Sequence, residues 1–94
     1  SAGLDYPGVS PIHCFLKDTK RARYTAATDE EALSAYKLVR KYENLNPSLE
    51  PSHAFAEAIK LAPKLSKDTV VIVNSCGDAH KDRDILKQRL GKFL

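Results

Sequence analysis

Residues 69–78 read TVVIVNSCGD, and this stretch decides which fold class the sequence predicts. Four of its first five residues are valine or isoleucine, and β-branched side chains of this kind are enriched in strands. A short, continuous apolar run is typical of a strand covered on both faces, as in a parallel sheet. The polar loop around Gly77 would then lie at the carboxyl end of that strand, where open α/β sheets bind their ligands.

A short helix and a weaker strand are predicted earlier in the chain. Ser10 is suited to be an N-cap and Pro11 to be the first helical residue, so a helix should run from there to Lys17 or Asp18. Residues 21–27 alternate in a way that gives a modest strand signal.

Two longer helices are predicted between the strands. Thr28 and Glu31 form a capping box, in which each side chain accepts a hydrogen bond from the backbone amide of the other residue. This helix should bury one apolar stripe and end at residues 44–47. Pro51 suits the first position of the next helix, and Pro63 should end it.

The alternation of helices and strands predicts an α/β fold with a parallel sheet. A last helix should follow Asp82 or Asp84, either of which could cap it, with Gly91 interrupting it near its end. Two strands are too few for a stable open sheet, so other strands should complete it. We therefore expect residues 1–94 to form a single, incomplete domain.

Composition argues against several classes of function. The 94 residues include 15 lysines and arginines and 12 aspartates and glutamates, and the two signs are interspersed. Nucleic-acid-binding domains usually concentrate basic charge on one face. The longest purely apolar run, residues 70–73, is far too short to span a bilayer. We therefore expect a cytoplasmic protein that binds neither nucleic acid nor membranes.

The spacing of cysteine and histidine argues against zinc. Cys14 and Cys76 form neither a disulfide framework nor a CxxC pair. The three histidines are too far apart for one helix to present two of them to a metal ion. Reduced thiols and chemistry without a catalytic metal are expected.

Four blocks of sequence carry a resemblance to a known family. They are SAGLDYPGV at residues 1–9, ATDEEAL at 27–33, LEPSHAFAEAIKLAP at 49–63 and VIVNSCGDAHKD at 71–82. In this order and at these separations they resemble the tryptophan synthase beta chain. The resemblance covers nearly the whole sequence and corresponds to the C-terminal part of that family's chain.

The resemblance implies a fold type II pyridoxal phosphate enzyme, in which the predicted parallel sheet would belong to a three-layer domain. The implied activity is the condensation of L-serine with indole to L-tryptophan by β-elimination and replacement, with the cofactor carrying the bond chemistry. The family's Schiff-base lysine, phosphate loop and main acid–base glutamate lie upstream. We therefore expect no catalytic residue in this segment and no activity from it alone. An alpha chain and a second beta chain are the implied partners.

Three residues are implied to bind the cofactor. Cys76 matches the family's serine facing the pyridine nitrogen, where a weak neutral donor can bind an unprotonated ring nitrogen. Glu50 matches a glutamate near the hydroxyl-bearing edge of the ring, and Gly77 follows Cys76 in the same loop. Judged without the resemblance, Cys76 is a small buried thiol at a strand end and Glu50 is an acidic helix cap.

The opening segment is implied to contribute to closure of the site and to cation binding. Asp5 matches an aspartate that pairs with an arginine of the mobile domain and contacts substrate when the site closes. The backbone carbonyls of Tyr6 and Gly8 match those that bind a monovalent cation, Na⁺ or K⁺, in the family.

The loop at residues 77–82 departs from the family's pattern, Gly-Arg-Gly-Asp-Lys-Asp. It reads GDAHKD, so Asp78 replaces an arginine and His80 an aspartate, whereas Lys81 and Asp82 remain. This departure leaves open a second hypothesis, a serine or threonine dehydratase of the same fold type. A third is a standalone module, derived from such an enzyme, that self-associates through its incomplete sheet.

Overall fold

The computed structural model describes residue 6 and residues 8–91. The α-helices of this part of the chain are α1 (Pro11–Asp18), α2 (Asp29–Glu43), α3 (Leu49–Leu61) and α4 (Arg83–Leu90). Two 3₁₀ turns accompany them, Ala62–Lys64 after α3 and Ala79–Asp82 before α4. Helices α2 and α3 pack against each other, and the central buried cluster consists of Leu33, Tyr36, Leu49, Ala79 and Leu86.

Helix α2 forms as the sequence predicts. The hydroxyl of Thr28 accepts a hydrogen bond from the amide of Glu31 at 3.2 Å, and the Glu31 carboxylate accepts one from the amide of Thr28 at 2.8 Å. Asn44 ends the helix in the left-handed conformation, with φ of 53°, which asparagine tolerates better than most residues. One face, Ala32, Leu33, Ala35, Tyr36 and Val39, is buried.

Helix α1 also begins as predicted, but it is not part of the core. The Ser10 hydroxyl accepts a hydrogen bond from the amide of Ile12, and Pro11 is the first helical residue. No residue of α1 is buried, and the side chains of Ile12 and Phe15 are largely exposed. This helix is therefore held by its local caps and turns more than by packing.

Helix α3 begins two residues earlier than Pro51, the predicted first position. The amide of Leu49 donates to the buried carboxylate of Asp82 at 2.8 Å, so a residue distant in sequence supports the extra length. Pro51 is the third helical residue, where its missing N–H is still one of the amides that no helical carbonyl satisfies. The helix ends at Leu61, and the following 3₁₀ turn contains Pro63, as the prediction of a stop there requires.

The two predicted strands are not formed. Residues 23–28 and 69–76 have no regular secondary structure, and among the described residues the β-bridge between Pro47 and Asp78 is isolated. Val70 and Ile72 are 82% and 89% exposed, whereas a strand covered on both faces was expected. A strand needs a neighbour to satisfy its backbone N–H and C=O groups. The parallel sheet is therefore not confirmed.

The two segments that were predicted as strands line a common groove with α3, and they do not pair with each other. The groove has a volume of about 370 Å³, and residues 25–27 and 71–74 form part of its lining. Side chains of α3, among them Ala54, Ala58 and Leu61, line the rest of the groove. The apolar positions of the predicted strands are thus placed beside a helix but not covered.

Helix α4 begins after Asp82 and ends at Gly91. Asp82 stands at the N-cap position, but its side chain caps α3 instead of α4. Gly91 ends the helix with φ of 74°, the left-handed conformation that glycine adopts without strain. Leu86 is the fully buried contact of α4 with the core.

None of the helices in the described part of the chain is both long enough and apolar enough to cross a membrane.

Candidate functional site

Ser48 joins the start of α3 to the loop that follows residues 69–73. Its hydroxyl donates a hydrogen bond to the carbonyl oxygen of Cys76 at 2.9 Å, and the residue is only 1% exposed. Gly77 follows with φ of 80°, and a Cβ atom placed on it would lie 2.9 Å from the Ser48 hydroxyl oxygen. The loop therefore comes this close to α3 only because residue 77 has no side chain.

Further hydrogen bonds tie the loop before α3 to the loop before α4. The amide of Ala79 donates to the carbonyl oxygen of Asn46 at 3.0 Å. The Asn46 side chain donates to Asp78 at 3.3 Å and accepts from the hydroxyl of Tyr36 at 2.9 Å. Because Tyr36 belongs to the buried face of α2, this junction is anchored in the core.

Asp78, which replaces the family's arginine, caps the 3₁₀ turn before α4. Its carboxylate accepts a hydrogen bond from the backbone amide of His80 at 2.8 Å and contacts the imidazole of the same residue. These bonds from His80, with a further one from Asn46, hold the pKa of Asp78 below its ordinary value. The reversed charge is thus used within the loop, and His80 serves there as a partner of Asp78.

Glu50 is the second residue of α3 and points one carboxylate oxygen at Lys81. The Lys81 ammonium donates to Oε1 of Glu50 at 2.6 Å. Burial raises the pKa of the Glu50 carboxyl, but the hydrogen bonds from Lys81, from its own backbone amide and from Ser48, with the charge of Lys81, together lower it by more, so that the net pKa lies below its ordinary value. The other oxygen, Oε2, is buried and has no hydrogen-bond partner among the described residues.

Asp82 connects Lys81 to the start of α3. It is 3% exposed, and its Oδ2 accepts a hydrogen bond from the amide of Leu49 at 2.8 Å. Its Oδ1 lies 3.2 Å from the Lys81 ammonium. Burial lowers the pKa of Lys81, but the hydrogen bonds to Glu50 and Asp82 outweigh it and leave the pKa above its ordinary value. Lys81 is therefore bound to two carboxylates at once.

The structure brings together the residues predicted to bind a cofactor. Cys76 and Gly77 contact Ser48, and Glu50 is two residues beyond Ser48 at the same helix start. Cys76 is a free, exposed cysteine, so the alternative of a buried apolar thiol is wrong. Glu50 is not a simple helix cap, because its side chain binds Lys81.

The residues predicted for closure and cation binding all precede α1 in the sequence. Asp5 is outside the described residues. Tyr6 and Gly8 lie in the exposed stretch before α1, and a Cβ atom on Gly8 would meet nothing within 4 Å. No group of three or more histidine, cysteine, aspartate or glutamate side chains that could hold a metal ion occurs within residues 6 and 8–91.

Sequence reasoning missed the parts played by Ser48, Lys81 and Asp82. Lys81 and Asp82 are the part of the loop that keeps the family's pattern, which was the available signal for them. Asp82 was one of two residues, with Asp84, that were expected to cap α4, the helix next to it in sequence. Its bond to Leu49 spans 33 residues and could not be read from local spacing.

No protein-family model matches the chain. Curated bacterial proteins do match the chain, and in each case the chain is similar to one segment of a longer protein, a synthase subunit. These relatives are tryptophan synthase beta chains. The resemblance drawn from the four sequence blocks is thereby confirmed.

Three relatives give the extent of the similarity. The chain is 50% identical to the protein of Bordetella petrii over 91 residues, which is 97% of this chain and 23% of that one. It is 55% identical to the protein of Fusobacterium nucleatum over 82 residues, covering 87% of this chain and 21% of the relative. It is 52% identical to that of Nitrosomonas europaea over all 94 residues, 24% of the relative. The chain therefore spans less than a quarter of the length of these relatives.

Proposed function

We propose that this chain is the C-terminal part of the catalytic beta chain of a tryptophan synthase. The proposed activity of the whole protein is the pyridoxal phosphate-dependent condensation of L-serine with indole to L-tryptophan. The observation that carries the proposal is the meeting of Cys76, Gly77 and Glu50 at one junction. Residues 1–94 form one incomplete domain in this proposal, and they are inactive without the remainder of the beta chain.

The junction fits pyridoxal phosphate. The buried Oε2 of Glu50, which has no partner among the described residues, is an acceptor that a ligand donor would satisfy. The thiol of Cys76 is exposed at the same junction and is a weak, uncharged donor. When bound, the cofactor supplies the electron sink for breaking and making bonds at the substrate, and the protein supplies orientation and electrostatics.

Each residue has a separate part in this proposal. Cys76 donates to the unprotonated nitrogen of the pyridine ring without adding a charge beside it. Glu50 keeps its negative charge because its pKa is lowered, and it accepts a hydrogen bond at the hydroxyl-bearing edge of the ring. Gly77 allows the loop that carries Cys76 to approach the start of α3. Ser48 holds that loop in place through the Cys76 carbonyl.

In the whole beta chain, residues 21–27 and 69–73 are strands of the parallel sheet in a fold type II enzyme. The support for this is the exposure of Val70 and Ile72 and the apolar groove that both segments line. Large apolar side chains in an unpaired extended segment are typical of a strand whose neighbours are elsewhere. The missing strands come from the part of the beta chain outside these 94 residues.

The further partners follow from the same proposal. An alpha chain and a second beta chain assemble with the whole protein. Asp5 pairs with an arginine of the mobile domain when the site closes over the substrates. The backbone carbonyls of Tyr6 and Gly8 bind a Na⁺ or K⁺ ion, a role that requires backbone geometry more than particular side chains.

A chimera tests the proposal. Residues 1–94 replace the matching segment of the Nitrosomonas europaea beta chain, to which the whole chain aligns at 52% identity. The chimera should bind pyridoxal phosphate, seen in its visible absorbance, and form tryptophan from L-serine only when indole is present. The unaltered beta chain serves as the control for expression and assay.

The same assay distinguishes the dehydratase hypothesis. Release of pyruvate from L-serine with no indole-dependent tryptophan would assign the segment to a dehydratase. A folded chimera that binds no pyridoxal phosphate would contradict the proposed function altogether. If the isolated 94 residues formed a Schiff base with pyridoxal phosphate through one of their own lysines, the placement of the essential lysine elsewhere in the beta chain would be contradicted.

A further inference from the structure

Lys81 links two carboxylates that come from distant parts of the sequence. Its ammonium lies 2.6 Å from Oε1 of Glu50, 31 residues earlier, and 3.2 Å from Oδ1 of the adjacent Asp82. Both partners lie at the start of α3, because Asp82 binds the amide of Leu49 and Glu50 is the next residue. The lysine is thus placed where it can set the direction of the Glu50 side chain.

Asp82 is held in place more firmly than the other members of this group of side chains, because it is buried and bonded through both oxygens. The residue is 3% exposed, and its second oxygen is held by the Leu49 amide. A side chain bound at two points has few other rotamers, and Lys81 is attached to it directly. A lysine that is already held loses less freedom when it also binds Glu50.

The two carboxylate oxygens of Glu50 therefore differ in their hydrogen bonding. Oε1 is occupied by Lys81, while Oε2 is buried without a partner among the described residues. Without the lysine, the Glu50 carboxylate would keep the bonds from its own backbone amide and from Ser48, each of which lowers its pKa less than the Lys81 bond does, so it would be freer to turn into water. The charge of Asp82 would also repel Glu50 from the start of α3.

We propose that Lys81 is a positioning residue, which holds Oε1 of Glu50 so that Oε2 remains directed at the cofactor. This inference rests on the proposed function, because it places pyridoxal phosphate beside Glu50. Lys81 does not touch the cofactor in this arrangement; it acts through Glu50. Asp82 is the anchor that keeps the lysine in place.

The chimera described above allows the test. Lys81→Met removes the ammonium while keeping an unbranched side chain, and Lys81→Arg retains a charged donor. Lys60→Met is the matched control, since Lys60 forms an ion pair of 2.8 Å with Glu31 at similar exposure on the other end of α3. The dissociation constant of pyridoxal phosphate and its visible absorption spectrum are measured for each variant.

Lys81→Met should weaken pyridoxal phosphate binding by roughly tenfold, the effect of misplacing one charge-assisted hydrogen bond, and should alter the ratio of the absorption bands. Lys81→Arg should restore most of the affinity, and Lys60→Met should match the parent. In a Glu50→Gln background, Lys81→Met should change the dissociation constant by less than about twofold, because the two residues act as one unit.

Two results would overturn the inference while leaving the proposed function intact. One is a Lys81→Met protein that melts at a lower temperature but binds pyridoxal phosphate with the parent's affinity and spectrum. The other is an equal loss of affinity with and without Glu50→Gln. If Lys81→Met does not fold, Lys81→Gln is measured against Lys81→Arg by the same criteria. A parent chimera that binds no cofactor would overturn both proposals.

Discussion

The hydroxyl of Ser48 binds the carbonyl oxygen of Cys76 at 2.9 Å, although 28 residues separate them in the sequence. This one bond joins the start of α3, which carries Glu50, to the loop that carries the thiol. Glu50 and Cys76 were both assigned to a cofactor site from sequence motifs alone. Their proximity is therefore a finding that the motifs did not require, and it gives the site its geometry.

Gly77→Ala should destabilise the chimera by about 2 kcal/mol, since a left-handed backbone with a Cβ atom is strained and the new atom meets the Ser48 hydroxyl. Gly91→Ala is the control, because it has a similar φ of 74° with open space around it, and it should cost about 1 kcal/mol. Urea denaturation measures both. Equal effects would mean that the Ser48 contact is not part of the cost.

Asp82→Ala should lower the free energy of unfolding by about 2 kcal/mol, because it leaves the buried amide of Leu49 without an acceptor and removes a partner of Lys81. Asp84→Ala, at an exposed position in the first turn of α4, is the matched control and should change it by less than about 0.5 kcal/mol. Comparable losses in the two variants would mean that the contacts of Asp82 with Leu49 and Lys81 contribute no measurable stability.

The lowered pKa of Glu50 predicts a particular dependence of stability on acid. A carboxyl whose pKa is lower in the folded state contributes stability above its unfolded pKa, near 4.5, and loses it as the pH falls through the folded value. The stability difference between the parent chimera and Glu50→Gln should therefore be largest near neutral pH and shrink below pH 4.5. Denaturation midpoints across this range measure it.

Glu43→Gln is the control for that pH series, since Glu43 is exposed at the end of α2. Asp78 and Glu31 also have lowered pKa values and remain in every variant, so the Glu50→Gln protein should keep part of the parent's loss of stability in acid. A difference that stays constant from neutral pH to well below 4.5 would mean that Glu50 titrates alike in the folded and unfolded states.

Cys76 provides a prediction about the chemistry. Cys76→Ser keeps a small neutral donor and should retain the indole-dependent activity of the chimera. Cys76→Asp places a carboxylate where it would keep the ring nitrogen protonated, and it should lower kcat/KM by at least about tenfold, or ~1.4 kcal/mol of transition-state stabilisation. Full activity of Cys76→Asp would remove Cys76 from the ring-nitrogen position. Cys14→Ser, at the other exposed cysteine, should leave activity unchanged.

The predictions that rest on neighbouring residues are confirmed. The capping box of Thr28 and Glu31, the Ser10 cap and the end of α3 before Pro63 all involve groups within a few positions of one another. Such bonds form wherever the local backbone is helical, so residue type and spacing suffice to predict them. The start of α3 was misplaced by two residues because Asp82, far along the chain, supports it.

The predicted strands show where local pattern is insufficient. Residues 69–73 have the composition of a buried strand, yet Ile72 is 89% exposed and no strand partner lies beside it in the described part of the chain. A helix forms its backbone hydrogen bonds within one segment, whereas the N–H and C=O groups of a strand must bond to a neighbouring strand. The same composition therefore gives an extended, unpaired segment here.

Residue type and order alone were enough to establish the presence of the helices, the caps of α1 and α2 and the similarity to tryptophan synthase beta chains. They also named Glu50, Cys76 and Gly77 as a set. Only the tertiary structure placed Ser48 between them, gave Lys81 its two carboxylates and turned Asp82 toward α3 instead of α4. Apart from the bond of Lys81 to the adjacent Asp82, these contacts join residues about thirty positions apart. Which distant partner a side chain binds depends on how the helices pack, and no local pattern encodes that.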